Sequence, residues 1–289
     1  MNENSQPKTP ANNLTVEDWL AEATRQLVFA NISSARLDAE LILSHTLRQP
    51  RTWLHSHQDD PLASRQVEIA NARLDLRLDR VPVAYIIGHK EFYGRRFKVT
   101  TATLIPRPES ETLIDLLDEA VPKNERLIAE RPLRLVDVGT GSGNLGITAK
   151  LTYPELDVTL VDVSRHALTI AEDNAESLHA DVELLQSNLL ASYPFVADII
   201  IANLPYVDPE WERSPETNHE PASALFAANH GLALISELLI QTKEKLAVGG
   251  KLILEADPEQ HGAIKKEAAQ YGLILHEARD YGLLFDKLT

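Results

Sequence analysis

Leu133-Arg134-Leu135-Val136-Asp137-Val138-Gly139-Thr140-Gly141-Ser142-Gly143-Asn144-Leu145-Gly146-Ile147 is a short apolar run, a glycine-dense turn and then helix-compatible sequence. That order is expected of the first strand-loop-helix unit of an open α/β sheet. The glycines permit positive φ and let a ligand approach the main chain with no Cβ in the way. Read from Gly141, the run also fits G-x-G-x-x-G, so the pattern alone does not separate a dinucleotide site from other ligand turns or from a plain strand-helix connection. Asp137 narrows the choice, because it sits two residues before the first glycine at the carboxyl end of the strand. A poorly solvated carboxylate there would repel a pyrophosphate and favour a ligand carrying an ammonium or sulfonium group. S-adenosylmethionine has both, plus a ribose. Asp137, Gly139, Thr140, Gly141, Ser142 and Gly143 are therefore the candidate binding turn.

Downstream the sheet continues. Residues 158–161 read as a strand ending in Asp162, an acid placed to accept both ribose hydroxyls of an adenosine ligand. Residues 182–185 read as a third strand, and Ser187-Asn188-Leu189 as either a loop edging the adenine or a plain turn. Residues 195–202 form a buried-looking strand that ends in Asn203-Leu204-Pro205-Tyr206. A polar amide, a proline and an aromatic suit the ligand crevice at a sheet's carboxyl edge better than they suit a core. A helix over 231–245, a Gly249-Gly250 turn into a strand, a helix over 260–271 and closing strands in 274–288, one of them Tyr281-Gly282-Leu283-Leu284-Phe285, complete the domain.

Upstream, residues 1–13 read as a frayed terminus. Thr15 and Asp18 resemble a capping box, with Trp19, Leu20, Ala23 and Leu27 along one side of the helix it opens. A second helix runs through Leu37, Leu41 and Leu47, a short helical turn carries Trp53 and Leu54, and 61–78 repeats apolar residues at helical spacing. Residues 1–80 are thus expected to be an all-helical domain. His45, His55 and His57 lack accompanying acids or thiols and read as surface or capping residues. Residues 81–104 read as a β-hairpin bridge, with Tyr85-Ile86-Ile87-Gly88 and the stretch from Phe92 to Val99 as its arms. Ile105-Pro106-Arg107-Pro108-Glu109-Ser110-Glu111 is too proline-rich for sheet interior. It is either a linker ending in a helix cap at Ser110 or a stiff loop supplying polar groups to the site. A helix over 112–120 and a polar connection over 122–132 lead into the sheet domain, 105–289.

The chain has 289 residues, 44% hydrophobic and 25% charged, the balance of a globular protein of two domains. It has no apolar run long enough to cross a bilayer, its start lacks the apolar stretch of a signal peptide, and it has no cysteine. These features suit a cytoplasmic protein. The formal charge of -15 argues against broad binding to nucleic acid, whose backbone is held largely by basic residues.

Together these segments resemble the glutamine N5-methyltransferases of peptide-chain release factors. The likeness is strongest from Tyr85 to Gln260, and most specific in the hairpin and the Ile105–Glu111 stretch. The Asn203-Leu204-Pro205-Tyr206 loop resembles the Asn-Pro-Pro-Tyr of enzymes that methylate a planar nitrogen. The Glu220-Pro221 segment and the Gly249-Gly250 turn into Leu254-Glu255 also look like the family. The resemblance implies a Rossmann-like class I methyltransferase, with a mostly parallel seven-stranded sheet whose last strand is antiparallel, behind a small helical domain and a hairpin. It implies S-adenosyl-L-methionine bound by Gly139 to Gly143 and Asp162, with Asn188 and Leu189 at the adenine. It implies that Asn203 through Tyr206 hold the glutamine of the factor's Gly-Gly-Gln loop, with Arg107 and Glu109 contributing to substrate binding, and that the enzyme works as a monomer. Three departures stand out: Leu204 for the first proline, Ala256-Asp257 for the usual Ile-Gly, and Asn144-Leu145-Gly146 after the glycine run.

A carboxamide nitrogen is planar, poorly nucleophilic and has two N–H donors. The Asn203 side-chain oxygen and the main-chain carbonyl of residue 204 would accept one each. Tyr206 would cover one face of the amide, and Phe92 or Phe97 either the other face or the hairpin's own packing. No general base and no metal ligand set is needed. Arg95, Arg96 and Lys98 form a basic cluster that reads either as a solvated edge or as a contact for an acidic partner or ribosomal RNA. Two other readings stay open: methylation of an exocyclic amine of DNA or RNA, and a non-catalytic binding module on the same fold.

Overall fold

A computed structural model describes residues 14–121 and 131–288. The frayed-terminus reading of 1–13 and most of the polar connection read at 122–132 fall outside the described residues. The chain divides into two compact units, Met1–Ile87 and Gly88–Thr289.

The first unit is helical: α1 (Val16–Phe29), α2 (Ala35–Leu47), α3 (Arg51–Ser56), α4 (Ser64–Leu78) and α5 (Val83–Ile87). The capping box at its start is present, with Asp18 N–H donating to Thr15 Oγ1 at 3.2 Å and Thr15 N–H donating to Asp18 Oδ2 at 3.1 Å. Trp19, Leu20, Leu27, Ile42, Leu43, Leu54 and Leu74 make its core, and buried Arg77 on α4 ties to buried Asp38 on α2 at 2.7 Å. The 85–88 stretch is not a hairpin arm. Tyr85 and Ile86 return their N–H groups to the Pro82 carbonyl, and a proline with its φ preset at a helix start favours that turn.

The hairpin lies in the second unit and is shorter than expected: β1 (His89–Phe92) and β2 (Arg95–Lys98). Tyr93 and Gly94 join them with φ of 48° and 70°, the two-residue turn whose twist matches paired strands. The glycine between the arms is thus Gly94. Phe92 and Phe97 meet edge to face at 6.2 Å inside the core, so the hairpin is anchored in the sheet domain.

That domain is a seven-stranded sheet in the order β5-β4-β3-β6-β7-β9-β8. Its strands are β3 (Arg134–Val138), β4 (Asp157–Asp162), β5 (Glu183–Gln186), β6 (Ala197–Ala202), β7 (Leu246–Glu255), β8 (Leu273–Arg279) and β9 (Gly282–Lys287). The pairs among β3, β4, β5, β6 and β7 are parallel, and β9 runs antiparallel to both β7 and β8. Strand residues alternate between two cores. Leu135, Leu160, Ile199 and Ile253 pack under α6 (Glu111–Ala120), α7 (Asn144–Thr152) and α8 (Arg165–Leu178). Val136, Val138, Ile200 and Leu252 pack under α10 (Ala233–Lys245) and α11 (His261–Ala268), which follow the four-residue α9 (Ala222–Leu225). The chain leaves β3 toward β4 and β5, then returns to β6 on β3's other side. That reversal opens a crevice off the carboxyl ends of β3 and β6, where open α/β sheets hold their ligands.

Candidate active site

A cavity of about 450 Å³ lies at that crevice. The glycine turn forms its floor, with Gly139, Gly141 and Gly143 at φ of 74°, 56° and 81°. Gly139 and Thr140 both donate their N–H groups to the Val161 carbonyl, at 2.8 and 2.9 Å, which fixes the turn to β4. Gly139, Thr140, Gly141 and Ser142 line the cavity. Gly143 does not; it heads α7, where an added Cβ would come within 2.6 Å of Ile147 Cδ1.

Asp162 lines the cavity at the end of β4. Gly141 N–H reaches its Oδ2 at 2.9 Å and Ser164 N–H its Oδ1 at 2.8 Å. Burial pushes this carboxyl above the usual range, and the backbone donors of Ser164, Gly141 and Val163 pull it back. Each oxygen keeps acceptor capacity for a hydroxyl. Asn188 and Leu189 line the same region, Leu189 with a left-handed φ of 48°.

Asp137 is placed differently from the expectation. The two-residue alternation of β3 turns it to the α7 face with Leu135, away from the cavity. It is 1% exposed, and Oδ2 accepts both the Thr140 hydroxyl (2.6 Å) and Gly146 N–H (2.8 Å). Burial pushes its pKa up to about 6, against the pull of Thr140 and Gly146 and with the push of Asp162. Asp137 braces the turn from below and does not face a ligand.

Asn203, Leu204 and Pro205 line the cavity directly off β6. Asn203 Nδ2 donates to Ser110 Oγ at 3.0 Å. Leu204 is 3% exposed, and a Cβ built on Gly139 would lie 2.9 Å from its Cδ2, so donor-side turn and acceptor-side loop touch. Tyr206 stands outside the lining. Its hydroxyl donates to Glu255 Oε1 at 3.0 Å, and burial, with Glu255 beside it, pushes its pKa far up. Gln260 Nε2 holds the Tyr206 carbonyl at 2.8 Å and the His230 carbonyl at 2.8 Å.

The proline-rich segment supplies the opposite wall through Pro106, Arg107 and Ser110. Arg107 pairs with the buried Glu220 carboxylate, which also accepts Ile105 N–H at 3.1 Å. Ser110 makes no capping bond to α6; its hydroxyl serves Asn203 instead. Glu109 is exposed and off the lining. Phe92 and Phe97, at 1% and 0% exposure, pack in the core and cover no part of the cavity. Residues not anticipated include Thr101 to Leu104, Val163 and His166 along the lining, and Glu255 behind it. Glu255 had a readable signal, an acid closing an apolar strand just as Asp162 does. Among the described residues no cluster of His, Asp or Glu could hold a metal ion.

The sheet order, the glycine turn and the acid at the end of β4 define a class I S-adenosylmethionine-dependent methyltransferase. The site fits that donor: Gly139 and Gly141, both at positive φ, line the cavity beside Thr140 and Ser142, and Asp162 offers a carboxylate at the rim. Residues 18–88 match the family model described as the PrmC N-terminal domain, and residues 113–270 the methyltransferase small domain. The chain is 35% identical over 255 residues to a release factor glutamine methyltransferase of Koribacter versatilis, covering 85% of this chain and 89% of that protein. It is 33% identical over 259 residues to the one of Escherichia coli, covering 86% and 88%. A solved methyltransferase from Pyrococcus furiosus shares the fold at a TM-score of 0.50 and 18% identity, over 76% of this chain and 98% of that one. The chain belongs to the release factor glutamine methyltransferase family.

Proposed function

We propose that this enzyme methylates the side-chain amide nitrogen of the glutamine in the Gly-Gly-Gln loop of peptide-chain release factors. The observation that carries the reading is the Asn203 carboxamide at the head of β6, tied by its nitrogen to Ser110 and lining the same cavity as the glycine turn. Bound S-adenosylmethionine supplies a methyl group on a positively charged sulfur. Gly139, Thr140, Gly141 and Ser142 hold it along the turn, Asp162 accepts its ribose hydroxyls, and Asn188 and Leu189 edge its adenine. Asn203 Oδ1 accepts one N–H of the incoming amide and the Leu204 carbonyl the other. Electron density then stays on nitrogen as positive charge develops, and the nitrogen is held for in-line attack. Pro205 keeps residue 204 extended, so leucine can supply that carbonyl as well as proline does. The surplus proton leaves after transfer, when the nitrogen is far more acidic. Arg107, at the cavity wall, and Glu109, outside it, contact the factor's loop.

Each of the hairpin cations has a partner within the protein, Arg95 in the Tyr93 carbonyl at 3.1 Å. Arg96 lies opposite Glu91 in register and close to His89 Nδ1, at 2.9 Å, and Lys98 pairs with Asp173 at 2.6 Å. We therefore assign them to a solvated face rather than to ribosomal RNA. No helix among the described residues is long and apolar enough to cross a membrane; we place the enzyme in the cytoplasm, acting as a monomer.

The test is transfer of labelled methyl groups to a release factor, to its Gln→Ala loop variant and to unmethylated DNA and RNA, using wild type and Asn203→Ala. Label on the factor that disappears with either substitution is expected. Label on nucleic acid would instead select the exocyclic-amine reading, and donor binding without any transfer the non-catalytic one.

A further inference from the structure

Gln260, between β7 and α11, is buried at 6% exposure and takes no part in the chemistry above. Its Oε1 accepts the Asp257 N–H at 3.1 Å, and its Nε2 donates to the Tyr206 and His230 carbonyls, each at 2.8 Å. A primary amide has two N–H groups to give, and here both are given. The direction of the amide is fixed as well. A reversed one would set its oxygen against two carbonyls and its NH2 against an N–H, which is costly in a buried place.

These bonds join segments that the chain keeps far apart. The turn at Asn229, His230 and Gly231, left-handed throughout, comes close enough that a Cβ on Gly231 would lie 1.9 Å from the Tyr206 oxygen and 2.5 Å from Gln260 Nε2. Tyr206 is thereby held at both ends: its hydroxyl by Glu255 at 3.0 Å and its carbonyl by Gln260. The next residue is paired too, with Val207 N–H on the Leu225 carbonyl at 3.0 Å and Ala227 N–H on the Val207 carbonyl at 3.3 Å. At the other end of the acceptor loop, Asn203 is tied to Ser110. Between these fixed points lie Leu204 and Pro205, and the proline ring sets its own φ. With the Tyr206 carbonyl pinned, the Leu204 carbonyl has little freedom left to turn.

We infer that Gln260 is a positioning residue for methyl transfer, which through the Tyr206 carbonyl aims the Leu204 carbonyl at the acceptor amide. The inference rests on the proposed glutamine chemistry, in which the Leu204 carbonyl takes one N–H of that amide. Gln260 itself stands outside the cavity lining, so it acts on the alignment of the acceptor and leaves donor binding alone.

Two variants separate the grip on Tyr206 from the turn at Asp257. Gln260→Glu keeps the shape and the acceptor for Asp257 N–H but has at most one proton for two carbonyls. Gln260→Met keeps the length and loses all three bonds. Lys287→Met is the control for lost stability, since the buried Lys287 Nζ, away from the lining, holds the Thr242, Lys243 and Leu246 carbonyls at 2.9, 2.8 and 2.6 Å. Methyl transfer to a release factor and thermal unfolding are measured for wild type and all three variants. Gln260→Met is expected to lose about thirtyfold in kcat and Gln260→Glu about tenfold or more, as a misplaced reacting group costs. KM for S-adenosylmethionine moves less than about threefold in both, since the loss falls on the acceptor side alone. Lys287→Met melts lower and keeps kcat within about threefold of wild type. Should one Gln260 variant fail to fold, the other decides; loss of the fold in both would overturn the inference by making the residue a structural one. So would a kcat near wild type in Gln260→Glu, which would leave only the Asp257 turn to explain any effect of methionine, or an equal fall in kcat in Lys287→Met. Absence of transfer to the factor by the wild type would instead bring down the glutamine reading, and this inference with it.

Discussion

Leu204 replaces a stiff ring with a flexible side chain that packs on the first glycine of the donor turn. Truncating it should open a void there, so Leu204→Ala is expected to lose on the order of 2–4 kcal/mol in urea unfolding. Methyl transfer should stay within about tenfold of wild type, because the acceptor at this position is a main-chain carbonyl. Asp137 offers a second residue-scale test. Its folded pKa of about 6 lies above the ordinary value of 3.8, so the native state keeps a proton that the unfolded chain has lost. Stability from this group is complete below pH 3.8 and is lost as pH rises through about 6, by on the order of 3 kcal/mol. Asp137→Asn keeps an oxygen for Thr140 and Gly146 and removes that loss. Its melting temperature should therefore gain on wild type between pH 4.5 and 7, and a constant gap across that range would refute the assignment. Sequence did place an acid at the end of β3; what it did not reveal without the alternation of the strand was which face the acid joins.

At the scale of elements, the sheet and its order of helices were legible because apolar alternation and glycine turns are local signals. The hairpin was misread at one arm because apolar Tyr85, Ile86 and Ile87 suit a buried helical turn as well as a strand, and Pro82 decided the matter. Contacts across long separations left no local trace. Asn174 of α8 shows this: its Oδ1 accepts Lys98 N–H at 2.7 Å, and its Nδ2 donates to the Lys98 and Ser142 carbonyls at 3.0 and 2.8 Å. One buried amide thus joins the hairpin to the donor turn. Asn174→Asp, which faces two carbonyls with an acceptor, should cost more than Asn174→Ala in chemical unfolding, by about 1–3 kcal/mol, and should weaken S-adenosylmethionine binding in calorimetry. The strap between residues 105 and 220 gives a parallel expectation. Glu220→Ala frees both Arg107 and the Ile105 amide and should raise KM for the donor several-fold with little change in kcat.

For the whole molecule, each compact unit has a core of its own, and every residue lining the cavity lies in the second. Saturating S-adenosylmethionine should slow amide exchange across 134–205 and leave the helices of 16–78 unchanged, since a ligand stabilises what it binds. Equal slowing in both would show that the donor's influence reaches the helical unit. The charge of -15 was readable from composition alone, and it predicts no measurable anisotropy change with a labelled DNA duplex at physiological salt. The tie between Asn203 and Ser110 was not readable, because it joins residues that the chain separates widely and the fold brings side by side.

The contact between Gly139 and Leu204 also bears on how such enzymes can drift. Positions 139 and 204 share one small volume, so a methyl group gained at the first is tolerated only if bulk is surrendered at the second, and the backbone sign at 139 penalises even that exchange. A double substitution at the pair would then have to shorten residue 204 before anything is added at 139, the glycine being the more constrained of the two.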